Sequence, residues 1–114
     1  MIDCIFCKII SKEMKSDMIY EDERIAVFKD INPQAPVHHL IVPKKHISSL
    51  SECTEEDKGI IGELFLKAKE VAEKEPNLAG GYRVIINNGK DAGQAVFHLH
   101  IHLLGGRRMP WPPS

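Results

Sequence analysis

His98-Leu99-His100-Ile101-His102-Leu103-Leu104 alternates imidazole and aliphatic side chains without a break. Successive side chains of a strand point to opposite sides, so the pattern predicts Leu99, Ile101 and Leu103 in a core and His98, His100 and His102 together on the other face. Alternate residues stand roughly 6.5 to 7 Å apart, a spacing at which neighbouring imidazoles can share a phosphate-sized ligand or divide two tasks. A single buried histidine is commonly no more than hydrogen-bonded. Three in register are different, because clustering groups that titrate near neutrality costs desolvation and repulsion whenever they charge. The interleaved Leu and Ile argue for a built strand over a chelating polar tail. A catalytic metal held by His-x-His and a third residue stays open on spacing alone.

The rest of the chain supplies a frame for that strand. Ile5 to Ile10 reads as a short helical turn, and Met18-Ile19-Tyr20 with Ile25-Ala26-Val27-Phe28 as a hairpin around the polar residues 21–24. Asn32-Pro33-Gln34-Ala35-Pro36 is a stiff loop that sets the entry of a strand over Val37 to Val42. Thr54 can cap one long helix, with Glu55, Glu56 and Asp57 at its positive end. Ile60, Ile61, Leu64, Phe65, Ala68, Val71 and Ala72 form its apolar stripe, read as core. Pro76 and Gly80-Gly81 end it, Tyr82 to Ile86 reads as another strand, and residues 87–94 form a glycine-containing loop into the histidine strand. The expected fold is α+β, an antiparallel sheet covered by a long helix.

Composition narrows the function. With 114 residues, 43% hydrophobic and 27% charged, residues 1–114 form a single domain with one principal site. Fifteen basic residues against sixteen acidic ones leave a formal charge of -1, so neither nucleic acid nor an anionic membrane is an expected partner. Met1-Ile2-Asp3-Cys4 lacks the basic and long apolar segments of a leader, and no run is long enough to span a bilayer, so a cytoplasmic location is expected. Cys4 and Cys7 form a C-x-x-C pair, with Cys53 alone. The odd count argues against a disulfide framework, and the pair could be half a zinc site, a redox motif or two buried thiols. Spacing favours zinc, since the pair precedes any strand and the histidines can supply two more ligands.

The histidine heptapeptide matches the His-φ-His-φ-His-φ-φ signature, φ being apolar, and the chain resembles the histidine triad (HIT) nucleotide-binding proteins. The likeness extends through Asp30-Ile31-Asn32-Pro33-Gln34-Ala35-Pro36, Val42-Pro43-Lys44-Lys45-His46, Gly93-Gln94, Gly105-Gly106-Arg107 and Trp111-Pro112-Pro113, all similar to the Hint branch. That resemblance implies a five-stranded antiparallel sheet with one long helix and a short N-terminal helix, doubled by a homodimer into ten strands. It implies cleavage of purine nucleoside 5'-phosphoramidates, of AMP-amine or AMP-lysine type, through a nucleotidyl-histidine on His100. His102 and His38 would flank the phosphate, and Gly93, Gln94, Ala95 and Val96 would offer loop amides to it. Asp30 would take the ribose hydroxyls, Phe6, Ile10, Phe28 and Ile31 the base, and Asn87 would lie near the phosphate. Trp111, in a tail over residues 105–114, would reach the partner protomer. Bacterial members with the N-terminal cysteine pair imply a structural Zn2+ on Cys4, Cys7, His46 and His98, and no catalytic metal. Ala95 stands where several relatives carry serine. Cleavage of dinucleoside polyphosphates and a non-catalytic nucleotide-sensing dimer are the alternatives.

Overall fold

A computed structural model describes residues 4–113, so Met1 to Asp3 and Ser114 lie outside the description. Five strands form one antiparallel sheet in the order β1-β2-β3-β5-β4: β1 Met18–Glu21, β2 Ile25–Lys29, β3 Val37–Pro43, β4 Tyr82–Ile85 and β5 Ile101–Gly105. Helix α1 spans Ile5–Ile10 and α2 Lys58–Glu73. The β1–β2 turn closes on Asp22, whose Oδ1 accepts the amides of Arg24 and Ile25 at 2.8 Å each. Ahead of α2 a 3-10 turn spans Glu55–Asp57, and it is this turn that Thr54 caps, its amide donating to Asp57 Oδ2 at 2.9 Å, so the long helix begins only at Lys58.

Two cores follow from the strand period of two. On one face Ile25, Val27, Val37, Ile41, Leu99, Ile101 and Leu103 pack against Ile60, Leu64, Ala68, Val71 and Ala72 of α2. On the other, Ala26, Phe28, Leu40 and Val42 pack against Cys4, Phe6 and Ile9 of the α1 segment. The α2 stripe is narrower than expected. Phe65 is 45% exposed and Ile61 half-buried, because both lie beside the line through 60, 64, 68, 71 and 72 rather than on it.

The histidine strand also departs from expectation. The hydrogen-bonded ladder begins only at Ile101, paired with Ile41, so continuing the register would set Leu99 opposite Pro43. Proline has no N–H to give. Leu99 donates instead to the Ile47 carbonyl at 2.6 Å, and residues 98–100 leave the ladder while keeping their alternation of faces.

Where β5 ends, Gly106 has φ +92 and a Cβ built there would stand 2.8 Å from Pro36 Cβ, against the loop that leads into β3. Gly106→Ala should lower stability by more than about 1 kcal/mol, read as a lower urea midpoint, since both backbone strain and the Pro36 contact oppose it.

Candidate active site and metal centre

The three histidines of the heptapeptide serve two clusters. His98 is wholly buried, and its Nδ1 faces Cys4 Sγ at 3.4 Å, Cys7 Sγ at 3.6 Å and His46 Nδ1 at 3.2 Å. Cys7 Sγ lies 3.4 Å from His46 Nδ1, and the four donor atoms all fall within 4.8 Å of one another. Tetrahedral bonds of zinc length put sulfur and nitrogen ligands about 3.6 Å apart and two nitrogens about 3.3 Å apart, so the spacing suits one four-coordinate ion. Local structure explains the convergence. Cys4 caps α1 by accepting the Cys7 amide at 3.4 Å, and the loop carrying His46 is held by Lys45 Nζ on Asp57 Oδ1 at 2.8 Å. His98 Nε2–H donates to the Pro43 carbonyl at 2.7 Å, which leaves Nδ1 as a free lone pair. Burial pushes His98 down to about 4, and burial together with the hydrogen bond and charge of Cys4 raises the Cys7 thiol to about 11. A dication would reverse the second effect by favouring thiolate.

His38, His100 and His102 form the other cluster. His100 is buried, and its Nδ1–H donates to the His98 carbonyl at 2.7 Å. A carbonyl can only accept, so the proton sits on Nδ1 and the Nε2 lone pair is left for chemistry. The tautomers of the other two follow in order. The Gln34 amide donates to His38 Nδ1 at 3.0 Å, which puts the His38 proton on Nε2 and its donation into His102 Nδ1 at 2.8 Å. His102 therefore keeps its proton on Nε2. Asp30 Oδ2 stands 3.4 Å from His38 Nε2, and Asp30, His38 and His102 could be read as three ligands of a second ion. The 2.8 Å separation of the two imidazole nitrogens is shorter than the about 3.3 Å between two ligands of one tetrahedral ion, and it fits a hydrogen bond.

Phe6 meets His100 edge-on at 5.0 Å and Phe28 at 5.4 Å, linking the histidines to an apolar wall. Together they line a cavity of about 500 Å3, a size that suits a nucleotide-sized ligand. The loop beneath it is braced by Gln94, which accepts the Gly89 amide at 2.8 Å and donates to the Ser48 and Val96 carbonyls at 2.8 and 3.1 Å.

Residues 11–109 match the HIT domain family, and with it the alternating histidines. The chain belongs to the HIT domain family. An uncharacterised HIT-like protein of Synechocystis sp. is 52% identical over 112 residues, 98% of this chain and 97% of that protein. A HIT family hydrolase of Legionella pneumophila matches the fold with a TM-score of 0.95 at 43% identity, covering 98% of this chain and 100% of that one. A zinc-bound histidine triad family protein of Mycobacterium smegmatis matches at TM-score 0.80 and 33% identity, over 98% of this chain and 80% of that one.

Of the residues expected in the site of this HIT domain, Phe6, Phe28, Asp30, Ile31, His38, Asn87, Gly93, Ala95, Val96, His100 and His102 line the cavity. Ile10 and Gln94 do not. The helical turn of α1 presents Ile5 and Ile9 to the cavity in place of Ile10, a choice of face that a six-residue helix does not reveal from sequence. Gln94 points back into the loop as the brace described above. Met14, Lys15, Ser16, Lys29, Asn32, Gln34 and Leu40 complete the lining; among them Asn32 and Gln34 were legible only as part of the Pro-rich loop. Trp111 is 81% exposed and outside the lining, its segment held by Arg83 donating to the Pro110 carbonyl at 2.8 Å. His39 faces the α2 side, where Nε2 meets Glu75 Oε1 at 3.0 Å. Cys53 packs partly buried against the α2-side core.

Burial holds this cluster neutral. It pushes His102 down to about 4, helped by the charges of His100 and His38 and opposed by Asp30, and it lowers His100 and His38 as well. From pH 6.5 down to about 4 the unfolded chain binds a proton at residue 102 that the folded chain refuses, so this contribution is complete above pH 6.5 and is lost on acidification. The urea midpoint should fall between pH 7 and pH 4, and fall less steeply in His102→Gln.

Proposed function

We propose that this HIT protein hydrolyses purine nucleoside 5'-phosphoramidates through a nucleotidyl-histidine on His100. The observation that carries the reading is the 2.7 Å hydrogen bond from His100 Nδ1–H to the His98 carbonyl, which leaves a neutral imidazole with its Nε2 lone pair in a ligand-sized cavity. Nε2 attacks the α-phosphorus, the P–Nε2 bond forms and the bond to the amine breaks. The leaving amine needs one proton. A phosphate anion beside His102 and His38 favours their charged form, so the pair takes up a proton from water and passes it to the departing nitrogen through His102 Nε2. Water then attacks the same phosphorus, returns a proton to the pair, and frees AMP and His100.

Binding divides along the cavity. Asp30 accepts the ribose hydroxyls, the Ile5, Phe6, Ile9, Phe28 and Ile31 side chains take the purine, and the amides of Ala95 and Val96 serve the phosphate, those of Gly93 and Gln94 already donating to the Lys90 and Gly89 carbonyls at 3.0 and 3.1 Å. Gly93 adopts φ +93, a backbone shape open to glycine, which favours this approach. With Ala95 no hydroxyl is offered there, so the backbone carries the contact. The four-donor centre is read as a structural zinc site, supported by its sulfur and imidazole donors and by the zinc-bound relative. Four protein ligands leave no position for an activated water. A homodimer joined at the sheet edge is supported by the uncovered strand β4 and by the exposed apolar residues Tyr82, Phe65 and Leu66. In that dimer Trp111 is available to the partner's site.

His100→Ala should cut AMP release from adenosine 5'-phosphoramidate by ~10^3-fold or more and abolish the covalent adduct, while AMP affinity and about one zinc per chain are retained. Equal turnover in wild type and variant would sink the histidine-nucleophile reading; AMP binding without turnover in either would favour a nucleotide-sensing role.

A further inference from the structure

His98 commits each of its polar groups in a different direction. Its Nδ1 belongs to the four-donor centre, its Nε2–H is held by the Pro43 carbonyl at 2.7 Å, and its own carbonyl receives the His100 Nδ1–H at 2.7 Å. The residue between them has no slack, since Leu99 is buried and its amide is held by Ile47 at 2.6 Å. Phe6 gives a second route. It sits on α1 between Cys4 and Cys7, and its ring packs edge-on against both His98 at 5.8 Å and His100 at 5.0 Å.

We propose that His98 is a positioning residue through which the occupant of the Cys4, Cys7, His46 and His98 centre sets the aim of His100, so that metal content governs the covalent step and not nucleotide affinity. The proposal rests on the reading of His100 as nucleophile and of the centre as a metal site. Its physical basis is crowding. Two imidazole nitrogens 3.2 Å apart, with a sulfur 3.4 Å from each, hold that arrangement when a shared ion bonds all of them. Without the ion only weak thiol and imidazole hydrogen bonds hold the four donors together, and the His98 ring is free to tilt out of the centre. A hydrogen bond weakens steeply once distance or angle is lost, so a small tilt of residue 98 releases the His100 Nδ1–H. His100 can then place its proton on Nε2, where it no longer attacks. Asp30, Phe28 and Ile31 lie outside the centre, and Phe6 and Ile9 stay packed on Ala26, Phe28, Leu40 and Val42 whatever the centre holds, so binding is spared. Partners of this kind around a reactive group are typically worth about 10- to 100-fold.

The test uses histidine labelled with nitrogen-15 in the full-length protein, compared as zinc-loaded, cadmium-loaded and chelated samples, with His100→Ala to assign the resonance. Zinc-loaded protein should show His100 as one tautomer with a slowly exchanging Nδ1–H. Cadmium, with its longer bonds, should shift that resonance, and chelation should average the tautomers. In parallel kcat should fall about 10- to 100-fold on chelation while the AMP dissociation constant changes less than about twofold. A His100 resonance identical in all samples, or a loss of turnover matched by an equal loss of AMP affinity, overturns the proposal. If the chelated protein unfolds, the zinc-to-cadmium comparison decides, because both samples are loaded and folded. Failure of the zinc-loaded wild type to turn over phosphoramidate would instead sink the functional reading, a result separable from the resonance comparison.

Discussion

The hydrogen bond from His98 Nε2–H to the Pro43 carbonyl is the constraint on which the site depends. Pro43 ends β3 and, lacking an N–H, prevents β5 from pairing any further, which frees residues 98–100 from the ladder. Its carbonyl then captures the ring that the missing pairing would have displaced. That one contact fixes the tautomer of His98, hence the donor it shows to the cysteines, and anchors the carbonyl that fixes the tautomer of His100. Removing it would leave a buried imidazole N–H without a partner, a cost of about 1–3 kcal/mol placed where the two clusters meet.

Placing five imidazoles, those of residues 38, 46, 98, 100 and 102, within one small region would be untenable if they charged together. The fold avoids this by burial, which lowers His38, His98, His100 and His102 alike, and by hydrogen bonds that fix the tautomer of each of these four rings. Gln34 starts one chain through a backbone amide and the Pro43 carbonyl ends the other. The main chain, whose hydrogen-bonding sense cannot change, dictates the protonation pattern of the side chains. Asp30, whose charge favours the protonated imidazoles, opposes that neutrality.

Much of this was legible in the sequence because strand alternation and helix periodicity are regular. The three histidines share a side, β1 to β4 appear where the patterns put them, α2 lies within its expected span, and Cys4, Cys7, His46 and His98 meet as the resemblance implied. What escaped depends on partners distant in sequence. The ladder stops at Ile101 because of Pro43, 58 positions earlier in the chain, which no local window sees. Ile9 replaces Ile10 in the cavity because a helix of six residues is too short for its pattern to choose a face, and Phe65 lies off the stripe because an isolated helix does not reveal where the sheet ends. Gln94 was expected to offer a loop amide to phosphate, and that amide donates to the Gly89 carbonyl while the side chain braces the loop through Ser48, 46 positions away.

Cys4 and His98 are separated by 94 positions, so the segment that walls one side of the cavity is anchored to residues almost at the other end of the chain. During synthesis α1 can dock on Ala26, Phe28, Leu40 and Val42 once β2 and β3 are made, but Cys4 meets His98 only after the heptapeptide has followed. The loop closed between Cys4 and His98 is long, and its entropy cost is offset once the sheet has brought both ends together. Completion of the cavity by His100 and His102 is thereby deferred until that stretch is in place. A partly made chain has the hairpin and α2 but no enclosed site, so ligand capture becomes a signature of the finished molecule.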